Sequence, residues 1–359
     1  MPESVIKNQL FSIYQLFYER MSKPRNVTAI LNDFDGSLGI VRCDDEANKF
    51  QAKLMRGQMY VNLIAIVILS RGQCGLSKCI TRYLVAMAAA DLAVVVVNNI
   101  LQDINYMYVY AGFLFITPVC ALSLVLRVVI MDSSVWLTVG FTFDRFIAIS
   151  CQKLRERYCR ERTATVVTVT VVTVSCARCV PFYFIMEPGV IIDNVPWRCV
   201  LKPEYFTSAA WKGFELLDSI LTPLLPIALI LLFNALTVRH IISANKVRRG
   251  LRNSSENQKD SETENRRKSM ILLFALTANF ISLWMPYVIY SLIWQVQNYG
   301  YADKYLKTPT YILQQTGYMV QMLSLCTNTC IYTLTQRKFR SELKSGVLYV
   351  YTFNGRLCR

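Results

Sequence analysis

The sequence predicts an all-α membrane protein: a seven-transmembrane helix bundle whose first helix is short or incomplete, with a short amphipathic helix after the last span. Three observations predict it. Of 359 residues, 53% are hydrophobic and only 18% charged, where a soluble domain carries about a quarter charged. The apolar residues come in blocks of membrane-spanning length and not with the period of a surface helix. The surplus of 39 basic over 24 acidic side chains falls mainly in alternate connections between those blocks. Such hydrophobicity excludes a disordered chain, and 14 Gly with 11 Pro exclude a collagen-like fibre. His240 is the single histidine, which excludes a zinc centre with several histidine ligands and catalysis by a histidine pair.

A bilayer core of about 30 Å needs about 20 apolar helical residues. The first apolar block, Met59 to Ser70, has 12 residues and reaches only about 18 Å at 1.5 Å per residue. Lys53, Arg56 and Gln58 stand just before it, so its outer half is polar and it is expected to be defective as a span. Six full spans follow: Tyr83 to Gln102, Val119 to Phe143, Ala164 to Met186, Phe214 to Val238, Met270 to Trp294 and Tyr311 to Thr335. Residues 250–265 are polar and of mixed charge and read as a loop. Gln336 to Leu343 is basic around Phe339, which suits a short helix lying on the membrane surface. The expected organisation is an atypical extracellular segment over 1–58, a membrane domain over 59–335 and a cytoplasmic tail over 336–359. Residues 1–20 contain Glu3, Lys7, Glu19 and Arg20 and no long apolar run, so no cleavable signal peptide is expected.

The connections after spans one, three and five, together with the tail, carry 23 Lys and Arg residues, against a few on the other side such as Arg198, Lys202, Lys304 and Lys307. Basic residues are retained on the cytoplasmic side. The amino terminus is therefore expected outside and the carboxyl terminus inside a plasma membrane, which requires an odd number of spans and so the short first helix. Anionic lipid is the expected partner of these cations. They flank spans and form no single patch, so nucleic acid is not. Cys120 and Cys199 both fall on the outer face, where a disulfide persists. Chance placement among 12 cysteines is the competing reading. Asn26-Val-Thr28 is an expected outside glycosylation site.

Six markers, one per span, follow in order. Asn62 stands in the first helix, Leu84-Val-Ala-Met-Ala-Ala-Ala-Asp91 in the second, and Asp144-Arg145-Phe146 at the inner end of the third. Pro226 lies in the fifth, Leu283-Trp284-Met285-Pro286 in the sixth and Asn328-Thr-Cys-Ile-Tyr332 in the seventh. Over about residues 59–345 the chain resembles the rhodopsin-like G-protein coupled receptors, whose motifs read D-R-Y, C-W-x-P and N-P-x-x-Y. It departs from them with Phe146 for Tyr, Leu283 for Cys, Thr329 for Pro and no tryptophan in the fourth helix. Trp136-Leu-Thr-Val, Val180-Pro-Phe-Tyr183 and Arg337-Lys-Phe-Arg340 are similar to the group around the orphan receptor 139.

The resemblance implies site residues. Asp91, Ser134, Ser324 and Asn328 are expected to line a polar cavity under Trp284 that holds an allosteric sodium ion, no other cofactor being expected; a water-filled packing cluster is the alternative. Asp144, Arg145, Asn328 and Tyr332 are the expected coupling switch toward a heterotrimeric G protein. Arg266, Arg267 and Lys268 stand where an acid reinforces the resting state in some receptors, which predicts a weak lock. The expected ligand pocket is Arg127, Glu215, Asp218, Trp284, Tyr287 and Tyr290. Arg127 facing acids suits a zwitterion or an anion; alternatively Arg127 pairs internally. Asp132 and Arg178 are expected to pair between helices three and four.

The expected function is transmission of a small extracellular ligand, amino-acid-like or peptide, to a G protein, and not enzymatic catalysis. Cys176-Ala-Arg-Cys179 sits alone inside an apolar span, and Gly72-Gln-Cys-Gly75 lacks the spacing of a phosphate loop. A defective, non-signalling receptor-like protein is the competing reading, on the strength of the short first helix. A transporter would show inverted repeats, and none is present in the sequence.

Overall fold

In the computed structural model the described residues are 45–72, 74, 76–97, 113–250, 260–297 and 309–345. Among the described residues the long helices are α1 Asp45–Ser70, α2 Lys78–Val94, α3 Thr117–Ser150, α4 Glu161–Cys179, α5 Ala209–Ser219 continued after a break by Leu225–Gly250, α6 Asp260–Gln297 and α7 Pro309–Thr335. Among the described residues, five helical stretches are long and apolar enough to cross a membrane: Lys78–Val97, Thr117–Ser150, Glu161–Phe184, Ala209–Ala244 and Met270–Ile293. Asn26 and residues 98–102 lie outside the described residues.

The apolar part of the first helix is short, as expected, covering only Gly57–Ser70, but the helix itself extends further: α1 has 26 residues, about 39 Å at 1.5 Å per residue. Helix propensity and hydropathy are separate properties. Glu46, Ala47, Lys49, Gln51, Ala52, Lys53 and Leu54 favour helix, so the coil continues past the point where the apolar block ends. The last expected span differs in the opposite sense. α7 has the length, 27 residues, but not the apolarity, because Gln321, Ser324 and Thr329 are buried polar side chains within it.

α5 is helical over Ala209–Ser219, π-helical over Ile220–Leu224 and helical again over Leu225–Gly250. Thr222 leaves helical geometry (φ −148°, ψ 103°) for the extended conformation favoured before proline. Pro223 has no amide proton to return to the preceding turn. The break therefore falls at Thr222-Pro223, one turn before Pro226. α6, by contrast, passes through Pro286 as one helix. After α7 the chain breaks at Gln336 and residues 337–345 are helical again.

The chain divides into two compact units. The first includes Val95–Val128 and Cys179–Tyr205. It holds an antiparallel hairpin, β1 Met186–Ile192 and β2 Val195–Leu201, with Val190 opposite Trp197. Asp193 (φ 50°) and Asn194 (φ 60°) form its two-residue turn, the arrangement whose twist matches that of the flanking strands. This hairpin adds β structure to a chain expected to be all-α. Trp197 and Ile192 are buried against Phe115 and Ile116. Cys120 of α3 is disulfide-bonded to Cys199 of β2, their Cα atoms 6.1 Å apart.

The second unit comprises Arg56–Val94, Val129–Arg178 and Phe206–Arg359. One buried cluster joins Leu69 of α1, Tyr83, Leu84 and Met87 of α2, Phe141 of α3, Leu272 and Leu276 of α6, Tyr332 of α7 and Phe339 beyond it. A second joins Val135 and Val139 of α3 to Ile230 of α5 and Phe280 and Trp284 of α6. Val166, Val169, Val172 and Val174 of α4 are exposed, as befits a lipid-facing stripe. Two threonines of that helix are satisfied internally: Thr165 and Thr168 donate to the carbonyls of Glu161 (3.1 Å) and Ala164 (2.9 Å).

Candidate functional site

Within the second unit a cavity of about 20 Å³, counted as the space open to the centre of a water-sized sphere, lies among α2, α3, α6 and α7. Asp91, Ser134, Asn279, Trp284, Ser324 and Asn328 are among its lining residues. That is above the roughly 10–15 Å³ one water needs. Asp91 is 1% exposed. Ser134 Oγ donates to its Oδ1 and Asn328 Nδ2 to its Oδ2, each at 2.9 Å. Ser324 Oγ turns its proton back to the Gln321 carbonyl at 2.6 Å, leaving its lone pairs toward neighbours. The donor set is one carboxylate with hydroxyl and amide oxygens, the hard-oxygen chemistry that suits a small hard cation.

At the far end of α3, Asp144 Oδ2 is ion-paired with Arg145, the two side chains 5% and 6% exposed. Asp144 Oδ1 accepts the Cys79 thiol of α2 at 3.1 Å, and its main-chain carbonyl accepts the Cys159 thiol at 3.7 Å. Phe146, which stands where the receptor motif has Tyr, stacks on Phe233 of α5 with centroids 5.9 Å apart. Of the other two expected switch residues, Asn328 is engaged with Asp91. Tyr332 is 1% exposed with its ring edge-on to Phe339 at 5.9 Å. Its hydroxyl has no hydrogen-bond partner among the described residues. The side chains of Arg266, Arg267 and Lys268 lie outside the described residues.

A second polar cluster joins three helices. Arg178 of α4 is ion-paired with both Asp132 of α3 and Asp218 of α5. Thr222, freed from helical geometry, donates its hydroxyl to Asp132 Oδ1 and accepts from Arg178 Nη2 at 3.1 Å. Ser175 Oγ donates to Asp132 Oδ2 at 2.6 Å. Asp132, 2% exposed, thus has both oxygens satisfied, which burial of a carboxylate demands. Asp218, one of the expected ligand-pocket residues, shares the guanidinium of Arg178.

Aromatic rings run from the cavity along α6 and across to α7: Phe280 to Trp284 at 5.2 Å, Trp284 to Tyr287 at 6.3 Å, Tyr287 to Tyr318 at 5.3 Å and Tyr287 to Tyr290 at 6.4 Å. Asp218 lies within electrostatic reach of Tyr287, and Glu215 of Tyr290. The structure therefore groups Glu215, Asp218, Trp284, Tyr287 and Tyr290 in one unit. Arg127 belongs to the other unit, is half-buried, and among the described residues has no ion-pair partner.

Long apolar helices enclosing buried carboxylates, with an Asp-Arg pair at the end of the third, define a polytopic helical membrane protein. The profile of the 7 transmembrane receptor (rhodopsin family) matches residues 61–332, and the chain belongs to that family. It is similar to the Tachykinin-like peptides receptor 86C of Drosophila melanogaster, 23% identical over 273 residues, covering 73% of this chain and 51% of that protein. The chain thus spans about half the length of the curated relative it matches.

Sequence reasoning missed Cys79, Cys159, Ser175 and Thr222. Isolated thiols and hydroxyls carry no periodic signal, whether in an apolar helix or, like Cys159, in a polar connection; only Pro223 after Thr222 hinted that the latter's backbone would be irregular.

Proposed function

We propose that the chain is a plasma-membrane receptor, amino terminus outside, that transmits the binding of a small extracellular ligand, amino-acid-like or peptide, to a heterotrimeric G protein. The observation that carries the reading is the buried Asp144–Arg145 pair at the end of α3. A guanidinium held by an adjacent carboxylate, away from water, is a two-state element: paired at rest, released toward a partner on activation. Orientation follows from the basic residues, since Arg155, Arg157 and Arg337 lie at the same end of the sequence topology as Arg145.

Ligand recognition is assigned to Trp284, Tyr287, Tyr290, Glu215 and Asp218. The aromatic faces and acids suit a ligand carrying an apolar ring or a positively charged group, and the relative named above is a receptor for peptides by its name. Arg127 remains a candidate on its side-chain chemistry alone, and unchanged agonist potency in Arg127→Ala would remove it. Asp91, Ser134, Ser324 and Asn328 would hold a sodium ion, whose charge would neutralise Asp91 in the resting state.

Arg266, Arg267 and Lys268 are basic by sequence where some receptors carry an acid that reinforces the resting pair, so measurable basal signalling is expected. Cells with the receptor should show guanine-nucleotide exchange above mock cells, and Arg145→Ala should return it to the mock level at matched surface density. Equal exchange in receptor and mock cells across a panel of G proteins would sink the proposal.

A further inference from the structure

Asp144 is held by more than Arg145. The arginine uses Oδ2. The remaining oxygen, Oδ1, accepts the thiol proton of Cys79 from α2 at 3.1 Å. Cys79 is 1% exposed, so no solvent competes for that oxygen. From the segment after α3, Cys159 donates to the Asp144 carbonyl at 3.7 Å. Burial first, and the nearby Asp144 charge second, push the Cys159 thiol up to about 12, so it stays a protonated donor at neutral pH. Two thiols thus hold the side chain and main chain of one residue.

The geometry gives Cys79 a task that packing does not require. A carboxylate is planar, so fixing Oδ1 on α2 also fixes where Oδ2 points, and it points at Arg145. A thiol is a weak donor, so the restraint is light and the pair is poised to open.

We propose that Cys79, supported by Cys159, is a positioning residue for the Asp144–Arg145 pair, and that its thiol contact sets the resting activity of the receptor. The inference rests on Arg145 being the coupling switch. Without the donor, Asp144 rotates more freely and Arg145 spends more time unpaired.

Two substitutions separate this role from space filling. Cys79→Ser keeps a donor but is smaller; Cys79→Val keeps the volume but has no donor. At matched surface density, Cys79→Val should raise basal nucleotide exchange about threefold, the response to losing a weak hydrogen bond, and Cys79→Ser should stay at or below the unsubstituted level. The reverse order, or no difference among the three, overturns the proposal. A readout independent of coupling is the infrared S–H stretch of the purified full-length protein. The band lost in Cys79→Ser should lie below the free-thiol frequency and move up in Asp144→Asn. A band at the free-thiol frequency overturns the inference whatever the exchange assay gives. A displaced band with no exchange by any variant sinks the coupling reading instead, and with it the claim on resting activity.

Discussion

The guanidinium of Arg178 is ion-paired with Asp132, a carboxylate 2% exposed, across the α3–α4 interface. The same guanidinium reaches Asp218 of α5, so one cation neutralises acids on two other helices beside the Thr222 break. Arg178→Met should therefore leave two uncompensated carboxylates and cost about 3–5 kcal/mol. The measurement is the unfolding temperature of the detergent-purified receptor. Asp132→Asn combined with Arg178→Met should recover part of the loss, because a neutral amide no longer needs a cation. Equal loss in the single and double variants would show that the pair carries no energy of its own. Arg178→Lys should recover less than half, since an ammonium cannot fork between two acids.

This cluster also shows where the sequence was legible. Asp132 and Arg178 are conspicuous charges in apolar segments, and hydrocarbon leaves them few options but each other. Thr222 is not conspicuous, because its role depends on a backbone break that only the following Pro223 hints at. The hairpin was hidden for a related reason: seven-residue strands flanking Asp193-Asn194 lie beside apolar spans whose blocks dominate any hydropathy reading. The short apolar part of α1 was legible from hydropathy, but its polar extension was not, because that is set by residues such as Ala52 and Leu54 that favour a helix in any solvent. The six markers of the bundle were legible because each centres on a polar or proline residue where the surrounding pattern permits few.

Gly317 of α7 lies against the main chain of α6: a Cβ placed there would sit 3.1 Å from both Tyr287 Cα and N, and 3.3 Å from the Pro286 carbonyl carbon. Backbone cannot turn aside as a side chain does. Gly317→Ala should thus wedge α7 from α6 just after the proline and lower stability by about 1–3 kcal/mol. Thermal unfolding checks this, with Gly213→Ala as the control, since nothing lies within 4 Å of a Cβ there. An unchanged unfolding temperature in Gly317→Ala would mean the helices separate at no cost.

Asp91 gives a prediction about ions. If its cavity holds sodium in the resting state, purified receptor should melt higher in sodium chloride than in choline chloride of equal ionic strength. A sodium concentration tenfold above the dissociation constant contributes about 1.4 kcal/mol. Asp91→Asn should abolish the difference between the salts while keeping a polar group for Ser134 and Asn328 to meet. Persistence of the difference in Asp91→Asn would place the ion elsewhere or nowhere.

The Cys159 thiol gives a prediction about pH. Burial, then the Asp144 charge, raise it from 9.0 to about 12. A thiolate, not a thiol, reacts with maleimides. The alkylation rate at Cys159 should therefore keep climbing about tenfold per pH unit beyond pH 9, where an ordinary thiol levels off. The sign for stability follows from the same shift. Below about pH 9 the thiol is protonated in both the folded and the unfolded chain, and its contribution is constant. Between pH 9 and about 12 the unfolded chain releases the proton and the folded chain keeps it, so stability falls as pH rises. Cys159→Ser should flatten that fall without changing stability at neutral pH by more than the loss of one weak donor. Asp144→Asn should bring the alkylation profile partway back toward pH 9, because it removes the second cause of the shift and leaves the first. A profile that levels off at pH 9 in the unsubstituted protein would show that the thiol is neither buried nor near the Asp144 charge.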